Sequence, residues 1–482
     1  MGKEIIDWTG GRVFLGQGNF VINGVSTDTR TIKPGHLFIP LRGQRFDGHD
    51  YIDEAIKRGA SSVLVQSDRV QEAKANFIDS SGGAIPCIEV HDTLLALQQI
   101  ASGYRGAFSI PVIAVTGSTG KTTVKDMIAG ILAEMGMVLK TQGNYNNEIG
   151  VPLTLLQLDY WHKYAVVELG MRGLGQIEIL TKIARPTVGV ITNVGVGHLE
   201  VLGSQANIAK AKGELLEHMA LGGWAVLNAD DDYVRGMAGL CHEQEIIFYG
   251  HKKPECFNPP GPKYVTASNI VVEGSRGVSF QLHYGAASIA ISLPLPGIYQ
   301  VDNALAAAAA SLAVGANLEN VKRGLARVKL TAMRMEQMQL PGGGLIINDA
   351  YNANPTSMEG ALQAVTDIAG ERSVGLILGS MLELGHLSKK AHAELGRLAA
   401  NLKPRFLITV GREAEDIARG AENAGLEQRR IRICQDTAQG GGASDRAAPA
   451  EPQRNQQNCT WFFHLPAQSF LRPFPFCNQA SA

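Results

Sequence analysis

A chain of 482 residues has room for two to four domains, with ample apolar material at 45% for several cores. Its 44 lysines and arginines against 45 aspartates and glutamates leave a net charge of −1, with no basic excess to suggest nucleic acid or an anionic membrane surface as the main partner. Cys87, Cys241, Cys256, Cys434, Cys459 and Cys477 fall at no metal-ligand spacing and are too sparse for a disulfide framework. The start MGKEIIDWTG lacks a basic segment followed by an apolar core, and the apolar run 304–316 is too short to cross a bilayer. The chain reads as soluble, reduced and cytoplasmic.

Residues 1–108 read as a small α/β unit. VING (21–24) suggests a hairpin tip, followed by Ser26, Thr27, Asp28, Thr29 and Arg30, a Pro34-Gly35 turn and a strand over 37–41. Gly43, Arg45, Asp47, Gly48 and His49 form a polar loop, and a helix over 51–58 and a strand over 62–65 follow. Hydroxyls, an arginine and a glycine-containing loop suit a sugar nucleotide, although such a cluster is more often a plain solvated loop.

Residues 109–328 are organised around IPVIAVTGSTGKTT (110–123). An apolar β-branched run leads through Gly117 and Gly120 into Lys121, Thr122 and Thr123. Val124, Met127, Ile128, Ile131, Leu132 and Met135 then recur at helical spacing. Strand, glycine loop and helix together predict a polyphosphate site: backbone N–H groups and the helix N-terminus face the anion, the lysine adds a charge, and the threonine can ligate Mg²⁺. The loop is short, with Val115 where the first glycine of the usual motif would stand. Asn144, Asn146 and Asn147 lie between Gly143 and Gly150 and suit either a turn or ligand contact. Strands over 164–167 and 188–192 put Glu168 and His198 just past their C-terminal ends, where open α/β sheets bind ligands. A carboxylate, an imidazole and the Thr122 hydroxyl can share a metal ion. A helix over 207–219 carries Lys210, Lys212, Glu214 and Glu217, at its plainest a solvated charged face. Residues 265–273, 278–283 and 287–293 read as an antiparallel meander, and a helix over 301–314 holds Asn303 in its first turn.

From about residue 329 strands and helices alternate again. Arg334 lies in the inter-domain segment 331–336. A strand over 345–347 leads to Asp349, Asn352 and Asn354, and a strand over 374–378 leads to Ser380 and Glu383. With helices over 356–368, 389–400 and 414–424 and strands over 406–410 and 430–434, this is a second doubly wound parallel sheet. The fold class is therefore α/β in three domains, 1–108, 109–328 and 329–434. The alternation stops at Gln435. Residues 435–482 are dense in Gly, Pro, Gln and Ser, with apolar clusters at 461–463 and 470–476, and read as a largely disordered tail.

Several stretches resemble the Mur ligases, ATP-dependent amide-bond-forming enzymes of peptidoglycan synthesis, over residues 20–434. They are TGSTGKTT (116–123), NYNNEIG (144–150), ELGM (168–171), NVGVGHLE (193–200), AKAKGELL (209–216) and NDAYNANPTSM (348–358). STDTR (26–30) and LRGQRFDGHDYI (41–52) resemble the uridine-nucleotide region of the branch that joins D-alanyl-D-alanine to UDP-N-acetylmuramoyl-tripeptide. The Asp-Asn-Pro-Arg motif of the branch adding a diamino acid is absent. The resemblance implies a small UDP-sugar domain, a central P-loop ATPase domain and a Rossmann-like third domain. It implies that ATP phosphorylates the tripeptide carboxylate and that the dipeptide amine then displaces phosphate.

The resemblance also implies roles. Gly117, Ser118, Thr119, Gly120, Lys121, Thr122, Thr123, Asn303, Arg334 and Asp349 hold ATP. Thr122 and Glu168 hold one Mg²⁺; His198 and Lys212, the latter carbamylated by CO₂, hold a second. Lys121, Lys212 and His198 are the catalytic set, Lys212 being chosen over Lys210 by register. Ser26, Thr27, Asp28, Arg30, Gly43, Arg45, Asp47, Asn144, Asn146 and Asn147 face the UDP-sugar substrate. Asn352, Asn354, Ser380 and Glu383 lie on the dipeptide side. A monomer is expected. Two departures stand out. Ser380 replaces the usual Asp, and the helix, strand and Lys-Gly-Ser-Arg segment that end the family are not visible after Cys434. A reading frame shifted near 437–440 accounts for the second, and the third domain is then expected to lack its last strand and expose a sheet edge. A ligase with another acceptor, such as a folylpolyglutamate synthase, a P-loop switch NTPase and an inactive ATP-binding protein remain alternatives.

Overall fold

The computed structural model describes residues 2–18, 20–73, 84–251, 263–340, 343–436 and 459–464. Among them the strands form three sheets. The first contains β1 (Arg12–Leu15), β2 (Gly24–Ser26), β3 (His36–Phe38), β4 (Ala60–Gln66) and β5 (Cys87–Val90), in the order β1-β5-β4-β3-β2. The hairpin expected at 21–24 does not form: β2 runs parallel to β3, with Gly24 opposite His36. The Asp28 side chain accepts from the Arg30 N–H and caps the 3-10 turn Thr29–Thr31, which carries the chain back to the start of the next strand. The helices Gly2–Thr9 and Thr93–Arg105 contribute Ile5, Leu97 and Ile100 to this unit's core.

The second sheet contains β6 (Val112–Thr116), β7 (Met137–Lys140), β8 (His162–Glu168), β9 (Val188–Ile191), β10 (Trp224–Asn228), β11 (Glu245–Tyr249), β12 (Lys263–Val272), β13 (Val278–Tyr284) and β14 (Ala287–Leu293). Its order is β14-β13-β12-β11-β10-β9-β6-β8-β7, parallel from β7 to β12 and antiparallel through β13 and β14, so the meander forms as expected. β6 is buried along its whole length, as a strand covered on both faces must be. The helix Lys121–Leu132 packs on one face together with Tyr299–Ala313, whose fully buried Ala306 to Ala310 let the helices approach closely. Gln176–Ala184 and Gln205–His218 cover the other face. The chain leaves β6 for β7 and β8 on one side and returns to β9 on the other, so the glycine loop at the end of β6 lies at a topological switch point.

The third sheet contains β15 (Glu336–Gln339), β16 (Leu345–Asn348), β17 (Ser373–Gly379), β18 (Phe406–Val410), β19 (Ile431–Cys434) and β20 (Cys459–His464), ordered β15-β16-β20-β17-β18-β19. Only β15 is antiparallel to its neighbour. Here the sequence expectation is corrected. The chain after Cys434 does supply a strand, and it lies inside the sheet, paired to β16 on one side and β17 on the other. CTWFFH combines a β-branched residue with aromatics, which suit a pleated buried surface. Phe462 and Phe463 bury on opposite faces. The reading missed the strand because a Gly-, Pro- and Gln-rich stretch separates it from the alternating pattern. Residues 437–458 and 465–482, including the expected frame change and the 470–476 cluster, lie outside the described residues.

Replacing Phe462, 0% exposed, with Ala removes a ring from the third core. The expected loss is about 3–5 kcal/mol of stability in urea unfolding. A loss below about 1 kcal/mol would contradict an interior strand at this position.

Candidate active site

The loop after β6 is shaped by its neighbour β9. Gly117 has φ 149°, and a Cβ there would sit 1.8 Å from the Thr192 hydroxyl. Gly120, at φ 82°, precedes the helix, and a Cβ there would meet the side-chain amide oxygen of Asn303 at 2.5 Å. The Thr192 hydroxyl donates to the Thr119 carbonyl at 2.6 Å, and the Asn193 side chain accepts from the Thr119 N–H at 2.9 Å. The Lys121 ammonium donates to the Gly117 carbonyl at 2.8 Å, so the lysine arches over its own loop. Burial pulls its pKa below the usual lysine value; Glu168 opposes that shift and Arg334 adds to it.

Glu168 ends β8 and is 1% exposed. Its carboxylate accepts from the Thr122 hydroxyl at 2.8 Å and from the Asn146 amide at 2.7 Å. Among the described residues it makes no ion pair. Arg334 donates to the same Thr122 hydroxyl at 3.2 Å, and its guanidinium lies 4.1 Å over the Tyr351 ring. Burial pushes the Tyr351 hydroxyl up to about 12. Lys212 is 2% exposed on the helix Gln205–His218 and makes no described hydrogen bond or ion pair. Burial, with Lys121 as a smaller cause, holds its pKa well below that of a free lysine. A buried carboxylate without an ion pair among the described residues and a hydroxyl beside it fit the donor chemistry of a magnesium site, which takes oxygen ligands.

His198 has left-handed backbone at φ 66°, and its Nδ1 meets the Glu383 carboxylate in a short contact, leaving Nε2 for a ligand. Burial lowers its pKa and the Glu383 carboxylate opposes the shift. Asp349 accepts from the Met335 N–H at 3.0 Å and lies 3.0 Å from Nδ1 of His464 at the end of β20. The other His464 nitrogen donates to the Asn352 carbonyl at 2.9 Å. Asn354 caps the helix Pro355–Ala369, accepting from the Ser357 N–H at 2.9 Å.

One cavity of about 840 Å³ gathers residues 117–123 with Asn144, Asn146, Asn147, Glu168, His198, Lys212, Asn303, Arg334, Asp349, Asn352 and Asn354. Others on the sequence list stand outside its lining. Ser26 donates to the Asp28 carbonyl at 2.9 Å across Thr27, and Asp28 pairs with Arg30 at 2.6 Å. Gly43 packs on Phe46, and Arg45 is exposed. Asp47 caps the turn at His49 and pairs with Arg42 and Arg69. Burial would raise its pKa, but hydrogen bonds from His49 and Arg69 prevail and hold it well below the usual carboxylate range. Ser380 is buried and accepts from the Ala414 N–H at 3.2 Å, and Glu383 is turned to His198. Tyr351, Thr192, Arg172 and Gln176 also line the cavity and were not singled out. Tyr351 falls within the NDAYNANP run, but nothing local signals its stacking on an arginine 17 residues away.

Three family models match the chain in order: Mur ligase family, catalytic domain, over 21–105; Mur ligase middle domain over 115–311; and Mur ligase, glutamate ligase domain, over 333–450. A relative from Escherichia coli strain K12, a UDP-N-acetylmuramoyl-tripeptide–D-alanyl-D-alanine ligase, is 39% identical over 401 residues, 83% of this chain and 84% of the relative. The chain belongs to the Mur ligase family. Among solved Mur ligases, MurF from Acinetobacter baumannii matches with TM-score 0.82 at 30% identity, over 98% of this chain and 96% of that one. MurF ligase from Thermotoga maritima, solved in complex with ADP, matches with TM-score 0.74 at 25% identity, over 93% and 95%. The glutamate ligase domain match runs past Cys434 to residue 450.

Gly117→Ala should abolish the loop geometry of this Mur ligase, because the new methyl collides with Thr192 in a backbone region that L-residues avoid. The expected result is at least a roughly tenfold loss of ADP affinity by calorimetry. Unchanged affinity would remove the glycine loop from the nucleotide site.

Proposed function

We propose that this Mur ligase joins D-alanyl-D-alanine to UDP-N-acetylmuramoyl-tripeptide at the expense of ATP, in peptidoglycan precursor synthesis. The relatives' names support the substrates. The observation that carries the chemistry is the buried Glu168 beside Thr122, in one cavity with Lys121, Lys212 and Arg334.

A carboxylate is a poor electrophile because its leaving group would be oxide. Attack of one carboxylate oxygen on the γ-phosphorus releases ADP and makes an acyl phosphate. The dipeptide amine then adds to the acyl carbon, an amide forms, and phosphate leaves carrying the former carboxylate oxygen while the amine proton passes to a base. Two anions must meet in the first step. Lys121 and Arg334 are the fixed cations that lower this repulsion and stabilise the transferring phosphoryl group. Thr122 and Glu168 would hold one Mg²⁺, and His198 with carbamylated Lys212 a second; the ions supply charge neutralisation at the phosphates. Carbamylation needs a neutral amine, and the burial that lowers the pKa of Lys212 favours that form. Asn303 and Asp349 are assigned to the nucleoside, Asn144, Asn146 and Asn147 to the UDP-sugar side, and Asn352 and Asn354 to the dipeptide side. Residues 1–108, with Ser26 to Arg30 and Gly43 to Asp47, take the uridine nucleotide, 109–328 the ATP, and 329 onward the closing domain. Among the described residues no helix is long and apolar enough to cross a membrane. We assign the protein to the cytoplasm, where its nucleotide substrates are, and read it as a monomer.

ADP release should require both UDP-N-acetylmuramoyl-tripeptide and D-alanyl-D-alanine, with a pentapeptide product by mass spectrometry. ADP release indifferent to the dipeptide would favour an NTPase or another acceptor. In the same assay Lys212→Ala should lower kcat by about 100-fold or more, with partial recovery on adding a short-chain carboxylate. Full activity in that variant would remove the carbamate from the account.

A further inference from the structure

One buried charged cluster is not used by this chemistry. Asp126 lies on the phosphate-loop helix, five residues beyond Lys121, and is 2% exposed. Its Oδ2 accepts both the N–H and the hydroxyl of Thr331, each at 2.8 Å. Its Oδ1 accepts from Lys140 at 2.6 Å and lies 3.3 Å from the ammonium of Lys125. Lys125, itself fully buried, donates to the Thr141 carbonyl at 2.9 Å, and the Thr141 hydroxyl accepts the Glu168 N–H at 3.1 Å. The network thus ties the linker into the third domain to the strand end that carries Glu168.

Thr331 opens that linker. Met333 and Met335 follow with left-handed backbone, φ 60° and 50°, which side-chain-bearing residues adopt only when their surroundings impose it. Between them Arg334 reaches Thr122 and Tyr351. The short strained segment is fixed at one end by Asp126 on Thr331 and at the other by Asp349 on the Met335 N–H. We propose that Asp126 is a positioning residue for Arg334: by clamping Thr331 it sets where the linker delivers the guanidinium against the nucleotide phosphates. The proposal rests on the reading of Arg334 as a phosphate contact. A purely structural ion cluster would stabilise the fold but would have no coupling to Arg334.

The test is a double-mutant cycle on the full chain, read as the affinity of a non-hydrolysable ATP analogue by calorimetry, with melting temperature measured in parallel. Thr331→Val keeps the side-chain shape and removes only the hydroxyl, so it avoids leaving two lysines without their carboxylate. It should weaken binding by about three- to tenfold. Thr331→Ser should restore affinity to within about twofold of the parent. In an Arg334→Ala background, Thr331→Val should cost nothing further. Equal losses in both backgrounds, or a lower melting temperature with no loss of affinity, would overturn the proposal. Binding is read without turnover, so a chain that shows the coupling yet forms no pentapeptide would contradict the ligase reading and leave this one standing.

Discussion

Glu168 is a buried carboxylate that makes no ion pair among the described residues, and it shares one cavity with Lys121, Lys212 and Arg334. Desolvated charges of this kind are costly unless something neutralises them. The three basic groups come from three places: the phosphate-loop helix, the helix Gln205–His218 and the linker beyond residue 328. Burial, with the neighbouring positive charges as a smaller cause, lowers the pKa values of Lys121 and Lys212. A cavity built this way is poorly balanced when empty and well suited to a polyphosphate, a divalent cation and a second anion together. That is the electrostatic demand of phosphorylating a carboxylate.

The rest of the architecture serves this concentration of charge. The sheet order puts the end of β6 at a switch point, with the ends of β8 and β9 on either side. β8 delivers Glu168, and residues at and beyond the end of β9 deliver Thr192, Asn193 and His198. The third sheet faces the site through Asp349, Tyr351 and Asn352, and β20 supports that edge by placing His464 between Asp349 and the Asn352 carbonyl. Contacts between the central and third regions are both polar and apolar: His198 with Glu383, Arg334 with Thr122 and Asp126 with Thr331, beside Val196 and Tyr299 packed against the third core.

What the sequence made legible was local. The glycine loop, the two strand-end residues Glu168 and His198, and the alternation of the central and third regions are written in short windows with periodicity or motif spacing. The first region was harder, because its strands are short and a capped 3-10 turn at Asp28 replaces the hairpin that Asn23-Gly24 suggested. Long-range pairings left no mark at all. His198 meets Glu383 across 185 residues and Asp126 meets Thr331 across 205, and no single-sequence pattern announces either. Ser380, marked as a departure near the acceptor, is a buried hydroxyl that accepts the Ala414 N–H, a role any small hydroxyl residue can fill. β20 was hidden because its strand character is confined to six residues after a stretch with no period.

The central claim is that the substrate carboxylate itself is phosphorylated. UDP-N-acetylmuramoyl-tripeptide carrying ¹⁸O in its terminal carboxylate, turned over with ATP and D-alanyl-D-alanine, tests it most directly by mass spectrometry of the released phosphate. An acyl-phosphate route transfers one ¹⁸O to each phosphate formed. Phosphate free of ¹⁸O, with ADP still released, would mean that water and not the carboxylate attacks the γ-phosphorus, and the account would fail.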